Sequence, residues 1–337
     1  MSAYASWALG KRDWTKRGRR AVLLATAFAF FRTGVWAAQL SPDQPARAGD
    51  AFRIVSDTSL VLVDVAVKDT KGGFVRGLSK EKFSIAEAGG KPRPVTSFST
   101  GEQPITIGLV VDRSGSMRDK WQEVTLSAIR LALSGNKNDE FYVVTFADDA
   151  ALNLPPRMPF TDNAEALRRA LVDISFGGRT ALYDGLTKAL EHLKDGRHER
   201  KAIVLMSDGG DNASSATREA VLEAAESSLA TIYTIGIFDE SDEDARPRFL
   251  KRLARVTGGE AFFPTQWDQL PALAAQVAAD IRSRYTLGFS PADDRMDNSV
   301  RKFKISVAGS RGRWKVRSRT HYVASSQNGV ATGRVVR

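Results

Sequence analysis

Apolar positions follow two rhythms along the chain. From Ser59, "LVLVDVAVKD" puts Val61, Val63, Val65 and Val67 on one side by strict alternation, the period of a strand with one buried face. "DTKGGFV" then reads as a turn, "KFSIAE" as a second strand, "AGGK" as another turn and "PVTSF" as a third short strand. No helix-length apolar period precedes residue 104, so residues 58–103 are expected to form a small N-terminal β module.

After Gln103 the rhythm changes. "ITIGLVV" (105–111) and "KAIVLMSD" (201–208) are continuous apolar runs, the mark of strands buried on both faces. "EFYVVTF" (140–146), "TIYTIGIF" (231–238) and "EAFFPT" are further strands. Between them, Trp121, Val124, Ala128 and Leu131 keep helical spacing, and "NAEALRRALVDI" is a helix capped by Asp162 or Asn163. "LYDGLTKALEHL", "REAVLEAAESSL" and "PRFLKRLARVTGG" continue the series, the last with glycine at its end, and Leu270, Leu273, Val277 and Ile281 mark one more helix. This alternation predicts an α/β fold, a doubly wound and mostly parallel sheet over residues 104–284. "YTLGFSP", "KFKISVA" and "RWKVRSRTHYV" then return to strand, separated by the turn compositions "ADDRMDNS" and "GSRG". Residues 285–323 are thus a C-terminal β segment expected to share one sheet with the N-terminal module, and 324–337 a disordered tail.

The N-terminus departs from both rhythms. Lys11, Arg12, Lys16, Arg17, Arg19 and Arg20 precede "AVLLATAFAFF", an apolar run of 11 residues, and "VWAAQ" offers small residues for cleavage. The run is well short of the roughly 20 residues a membrane span needs, so residues 1–37 read as an export signal and 38–57, with its prolines, as a linker. Export places the protein in the periplasm, the cell envelope or the medium. A membrane enters only if the leader stays uncleaved as an anchor.

Charge follows this division. The chain of 337 residues carries a net +10. Seven Lys/Arg and one Asp lie in residues 1–37, which leaves 42 basic against 38 acidic residues downstream. That balance is too even to imply a nucleic-acid partner. Residues 300–337 hold ten Lys/Arg and no acid, so an acidic body ends in a basic segment, read as a solvated strand face rather than a binding patch. With no cysteine, disulfides, thiolate metal sites and thiol nucleophiles are excluded.

The candidate chemistry lies at the ends of buried strands, where open parallel sheets bind ligands. "DRSGSM" follows "ITIGLVV" and supplies Asp112, Ser114 and Ser116, with Gly115 letting the backbone turn between the hydroxyls. Asp208 ends another buried strand, and Thr180 lies in the glycine-led loop "GGRTALYD". All five offer hard oxygen donors, the kind Mg²⁺ takes in near-octahedral coordination. Helix capping would account for Asp112 and the serines alone, but not for Thr180 and Asp208 at matching strand ends.

These residues resemble the metal-ion-dependent adhesion site of the von Willebrand factor type A family, Asp-x-Ser-x-Ser with a distant Thr and Asp. "VDVAVKDTKGGFVRGLSKEKFSIAE" ahead of the site and "YTLGFSP" behind it resemble bacterial exported proteins related to that family, the acidobacterial type. The resemblance implies a Mg²⁺ site, with Mn²⁺ or Ca²⁺ as alternatives. Ser114, Ser116 and Thr180 would be its hydroxyl ligands, and Asp112 and Asp208 would act directly or through water. It also implies a partner protein that supplies Glu or Asp to the metal. Arg179, immediately before Thr180, departs from the pattern and is expected to pair with a site aspartate or with the ligand. Asp211 and Asp148–Asp149 are expected on the rim.

Other chemistries have weaker support. His192, His198 and His321 are scattered, and neither Gly-x-Ser-x-Gly nor a phosphate-cradling loop ending in Gly-Lys-Ser/Thr occurs. A Mg²⁺-dependent phosphatase would usually carry an acid two residues after its strand-end aspartate, where this chain has Ser114. The reading is therefore a non-enzymatic, exported, metal-dependent binding module. The alternative is a structural envelope component whose metal only braces loops.

Overall fold

The computed structural model describes residues 60–87, 90–172, 174–238, 246–291, 295 and 297–324. The expected leader, the linker and the tail from residue 325 lie outside the described residues.

Strands β1 (Val61–Asp69), β2 (Phe83–Glu87), β3 (Pro92–Arg93) and β4 (Ser97–Thr100) come first. The α/β part follows: β5 (Thr106–Asp112), α1 (Trp121–Leu133), β6 (Glu140–Phe146), β7 (Ala150–Leu152), α2 (Ala164–Val172), α3 (Leu182–Leu193) and β8 (Lys201–Ser207). It closes with α4 (Arg218–Ser227), β9 (Thr231–Gly236), α5 (Pro247–Thr257), β10 (Ala261–Phe262) and α6 (Leu270–Arg282). The C-terminal strands are β11 (Tyr285–Phe289), β12 (Val300–Val307), β13 (Trp314–Arg317) and β14 (His321–Val323).

The central sheet has the order β10-β9-β8-β5-β6-β7, parallel except for the antiparallel edge strand β7. β5 and β6 are buried along their whole length because helices cover both faces. Val124, Ala128 and Leu131 of α1, Leu167 and Leu171 of α2 and Val277 and Ile281 of α6 pack on one face. Leu182 and Leu186 of α3, Val221 of α4 and Leu250 and Leu253 of α5 pack on the other. α2 is capped by Asn163, whose Oδ1 accepts the N–H groups of Glu165 and Ala166, and α5 stops at Gly258 with φ of 79°.

The flanking strands form two sheets rather than the single one expected. One has the order β13-β1-β11-β4 and the other β14-β12-β2-β3, so each mixes strands from both ends of the chain. The alternating valines of β1 face inward, and Val63, Val65 and Val67 join Ile85, Leu287, Phe289, Phe303 and Ile305 in a core between the sheets. Two sheets form because "RWKVRSRTHYV" is two strands, not one. After β13 the chain turns Arg319 inward, where its guanidinium donates to the carbonyls of Ser228 (2.5 Å) and Ala230 (3.3 Å) beyond the end of α4. β14 then pairs with β12 in the second sheet.

The basic end is accordingly only partly a solvated face. Lys302 and Lys304 are exposed on β12, whereas Arg317 and Arg319 are drawn to the α/β part. Arg317 joins a buried ionic cluster. Its Nη2 lies 2.6 Å from Asp280 Oδ1, and the Asp280 carboxylate is also 2.9 Å from Arg284 and 3.4 Å from Lys68. Burial alone would raise the Asp280 pKa, but the guanidinium groups of Arg284 and Arg317 outweigh it and hold the carboxyl well below its usual range.

Candidate metal centre at the strand ends

In the central sheet the chain runs from β5 to β6 on one side and from β8 through β9 to β10 on the other. The direction of winding therefore reverses between β5 and β8, and a crevice opens beyond their carboxyl ends. Asp112 is the last residue of β5, and Asp208 follows the last residue of β8. A 3₁₀ turn, Gly115–Lys120, carries the chain from the serines into α1.

The oxygens of these elements meet. Asp112 is fully buried and both its oxygens are engaged: Oδ1 accepts the Ser114 N–H at 2.9 Å and Oδ2 the Ser207 hydroxyl at 2.8 Å. Ser114 and Ser116 bring their hydroxyls within 3.2 Å of each other, and Ser116 donates to Asp208 Oδ2 at 3.0 Å. Asp208 Oδ1 accepts the Gly210 N–H at 2.9 Å.

Thr180 is pinned through its backbone. Its N–H donates to Asn212 Oδ1 at 2.8 Å and its carbonyl accepts from the N–H of Asn212 at 2.9 Å. Its hydroxyl, on a residue only 8% exposed, makes no hydrogen bond among the described residues.

Electrostatics mark the same place. Burial, and secondarily the charge of Asp208, push the Asp112 carboxyl up to about 6. Two neighbouring carboxylates with hydroxyls between them are short of positive charge. An octahedral Mg²⁺ ion with oxygens at about 2.1 Å would set adjacent ligands about 3 Å apart. The Ser114–Ser116 and Ser116–Asp208 separations, 3.2 and 3.0 Å, match that edge length. The donor set therefore fits the ion.

Two candidate rim residues have partners of their own. Arg179 pairs with neither Asp112 nor Asp208. Its Nε lies 3.3 Å from Asp148 Oδ1, which also accepts the Arg179 N–H at 3.1 Å. The cause is the backbone at Gly177 and Gly178, with φ of 134° and 81°, which lays the loop against Asp148. A Cβ on Gly178 would collide with the Asp148 carboxylate. Asp211 is not a free rim acid, because Oδ1 accepts the Tyr183 N–H at 3.1 Å and the Ser214 hydroxyl at 2.5 Å. It caps the first turn of α3 and ties it to the loop that holds Thr180. Asp149 is 78% exposed and 2.8 Å from Arg113.

Sequence reasoning missed Ser207 and Asn212. Ser207 directly precedes Asp208 at the end of an apolar strand, and Asn212 stands in "DGGDN"; polar residues in those positions were the available signal. The histidines are remote from the centre. His192 lies near the far end of α3, about 15 Å along the helix from its start at 1.5 Å per residue. There it stacks on Phe160 at 4.6 Å. His321 lies 3.4 Å from Glu226.

The family model of the von Willebrand factor type A domain matches residues 106–276. A protein of Borreliella burgdorferi, described only as uncharacterized, is 28% identical over 238 residues, covering 67% of this chain and 67% of its own. Among solved structures, the von Willebrand factor type A protein from Catenulispora acidiphila is 14% identical with a TM-score of 0.47, covering 82% of this chain and 77% of its own. The vWF domain of the type V pili tip protein Mfa5 from Porphyromonas gingivalis is 16% identical with a TM-score of 0.45, covering 53% of this chain and 95% of its own.

Proposed function

Because the chain belongs to the von Willebrand factor type A domain family, we propose that it is an exported, non-catalytic protein-interaction module whose strand-end oxygens hold a divalent cation, Mg²⁺ foremost. The observation that carries this reading is the contiguous set of hard oxygens from Ser114, Ser116 and Asp208, with the Thr180 backbone held to Asn212 in the loop that follows Asp208. When bound, the ion would supply an electrophilic position for a carboxylate of the partner.

The chain's own residues divide the work. Ser114, Ser116 and Thr180 present hydroxyl oxygens. Asp208 offers a carboxylate oxygen that already faces Ser116. Asp112, with both oxygens occupied, positions the serine turn against β8 and contributes negative charge from behind. A serine nucleophile of the Ser-His type has no support in these contacts, because Ser114 and Ser116 bond each other and Asp208 and no histidine is among their partners. A phosphorylated aspartate is likewise disfavoured by the occupied Asp112 oxygens.

The test is calorimetric titration of Mg²⁺ into the metal-stripped full chain, beside a Ser114→Ala/Ser116→Ala variant. Saturable one-site binding by the parent and its loss in the variant are expected. A parent that takes up no Mg²⁺ at millimolar concentration sinks the metal reading. Mg²⁺-dependent turnover of a generic phosphoester sinks the non-catalytic one.

A further inference from the structure

Three arginines stand in the loops that carry the centre, and two of them are neutralised. Arg113 is 2.8 Å from Asp149 and Arg179 is 3.3 Å from Asp148. Arg118 differs. It is exposed, two residues beyond Ser116 in the 3₁₀ turn, and among the described residues it pairs with no carboxylate. Its guanidinium reaches across to the loop that leads into Thr180, where Nη2 meets the Phe176 carbonyl at the long distance of 3.5 Å. The adjacent Asp119 is also exposed, but successive side chains of a 3₁₀ turn diverge by about 120°, and no ion pair joins the two.

The surroundings of Arg118 suit protein recognition. The Phe176 ring meets Trp121 edge-on with centroids 4.9 Å apart, and both side chains are half-buried. Trp121 is held by a 2.8 Å bond from Nε1 to the Leu171 carbonyl. An uncompensated arginine beside fixed aromatic surface has the composition enriched at interaction hot spots. A planar guanidinium pairs best with a carboxylate, in a two-pronged contact.

We propose that Arg118 selects a second acidic side chain in the partner, on the same segment as the carboxylate that approaches Ser114, Ser116 and Thr180. This rests on the metal-binding reading of the centre. Arg118 stands two residues beyond Ser116 in the same turn, so the second acid falls close to the first along the segment. The partner motif is a closely spaced pair of Asp or Glu residues, not a solitary acid.

The test is a random-peptide display selection against the full chain, run in Mg²⁺ and in EDTA, with Mg²⁺ uptake followed separately by calorimetry. Peptides recovered only in Mg²⁺ should carry two closely spaced acids. Changing the second acid to its amide should weaken binding to the parent chain about tenfold, the size of one charge-assisted contact. The same change should cost Arg118→Ala less than about twofold, with Arg118→Lys between them, because a point charge replaces the fork. Mg²⁺ uptake should be the same in all three chains. If the Mg²⁺-dependent peptides carry a single acid, or if the parent and Arg118→Ala lose equally, the role of Arg118 is overturned while the metal reading stands. Absence of Mg²⁺ uptake overturns both.

Discussion

Asp112 shows at the scale of one residue how the centre trades stability for charge. Its carboxyl is buried against Asp208 and its pKa rises from 3.8 to about 6. Folding therefore favours the protonated form. In metal-free protein the contribution is fully present below pH 3.8, is lost as pH rises toward about 6, and is level above that. A shift of about two units corresponds to about 3 kcal/mol at most. Urea unfolding in EDTA between pH 4 and 7 should show the parent losing stability with rising pH relative to Asp112→Asn, which has no such proton to lose. Mg²⁺ uptake should show the opposite trend, weakening by up to about tenfold per pH unit below 6 as protons compete for the site. Asp112 and Asp208 were legible because each closes a strand that apolar periodicity locates, whereas Thr180 lies in the loop between α2 and α3, at no strand end. Ser207 was not legible, because its role depends on the register that sets β8 beside β5, Val111 opposite Met206. A strand's period does not encode its neighbour.

Single elements explain why the loops stay in place. α3 begins at the centre, and Asp211 accepts the Tyr183 N–H in its first turn. Asp211→Ala should cost about 1 to 2 kcal/mol, the usual range for a lost cap, measurable by urea unfolding. It should leave Mg²⁺ affinity within about twofold, because Asp211 does not touch the donor oxygens; a large loss of affinity would restore it to the site. Helix extents were the most readable part of the chain. "LYDGLTKALEHL" matches α3, and the glycine after "RLARVT" is the left-handed cap of α5. The edge strand β7 was not read, since three residues cannot display a period. The break at Ser318–Thr320 was hidden for another reason. Arg319 is a surface residue by composition, and only the carbonyls beyond α4 make it an interior one.

Across the whole molecule, the α/β part and the β strands are joined by charge as well as by covalent bonds. Asp280, at the end of α6, faces Arg284, Arg317 of β13 and Lys68 of β1. Asp280→Ala would leave these cations buried without their common partner and should destabilise the fold by about 3 to 5 kcal/mol. Glu165→Ala breaks the exposed pair with Arg168 and should cost less than about 1 kcal/mol. Comparable losses in thermal or urea unfolding would remove Asp280 from its central place. The sharing of strands between the two ends was foreseeable in outline, because two β segments bracket one α/β pattern. Their division into two sheets was not, because it turns on which strands pair.

The insertion itself has a mechanical consequence. Thr100, the last residue before the α/β part, is the register partner of Tyr285, the first strand residue after it, and Phe98 is the partner of Leu287. Residues 101–284 thus form a loop whose neck is fastened by the β4–β11 ladder. Tension applied between the ends of the chain is shunted across that neck and across the neighbouring β1–β11 pairing, and reaches the inserted sheet only when these ladders part. In a chain stretched between two anchor points, the crevice between β5 and β8 is therefore a slack branch. Its oxygens keep their spacing while the sandwich bears the load.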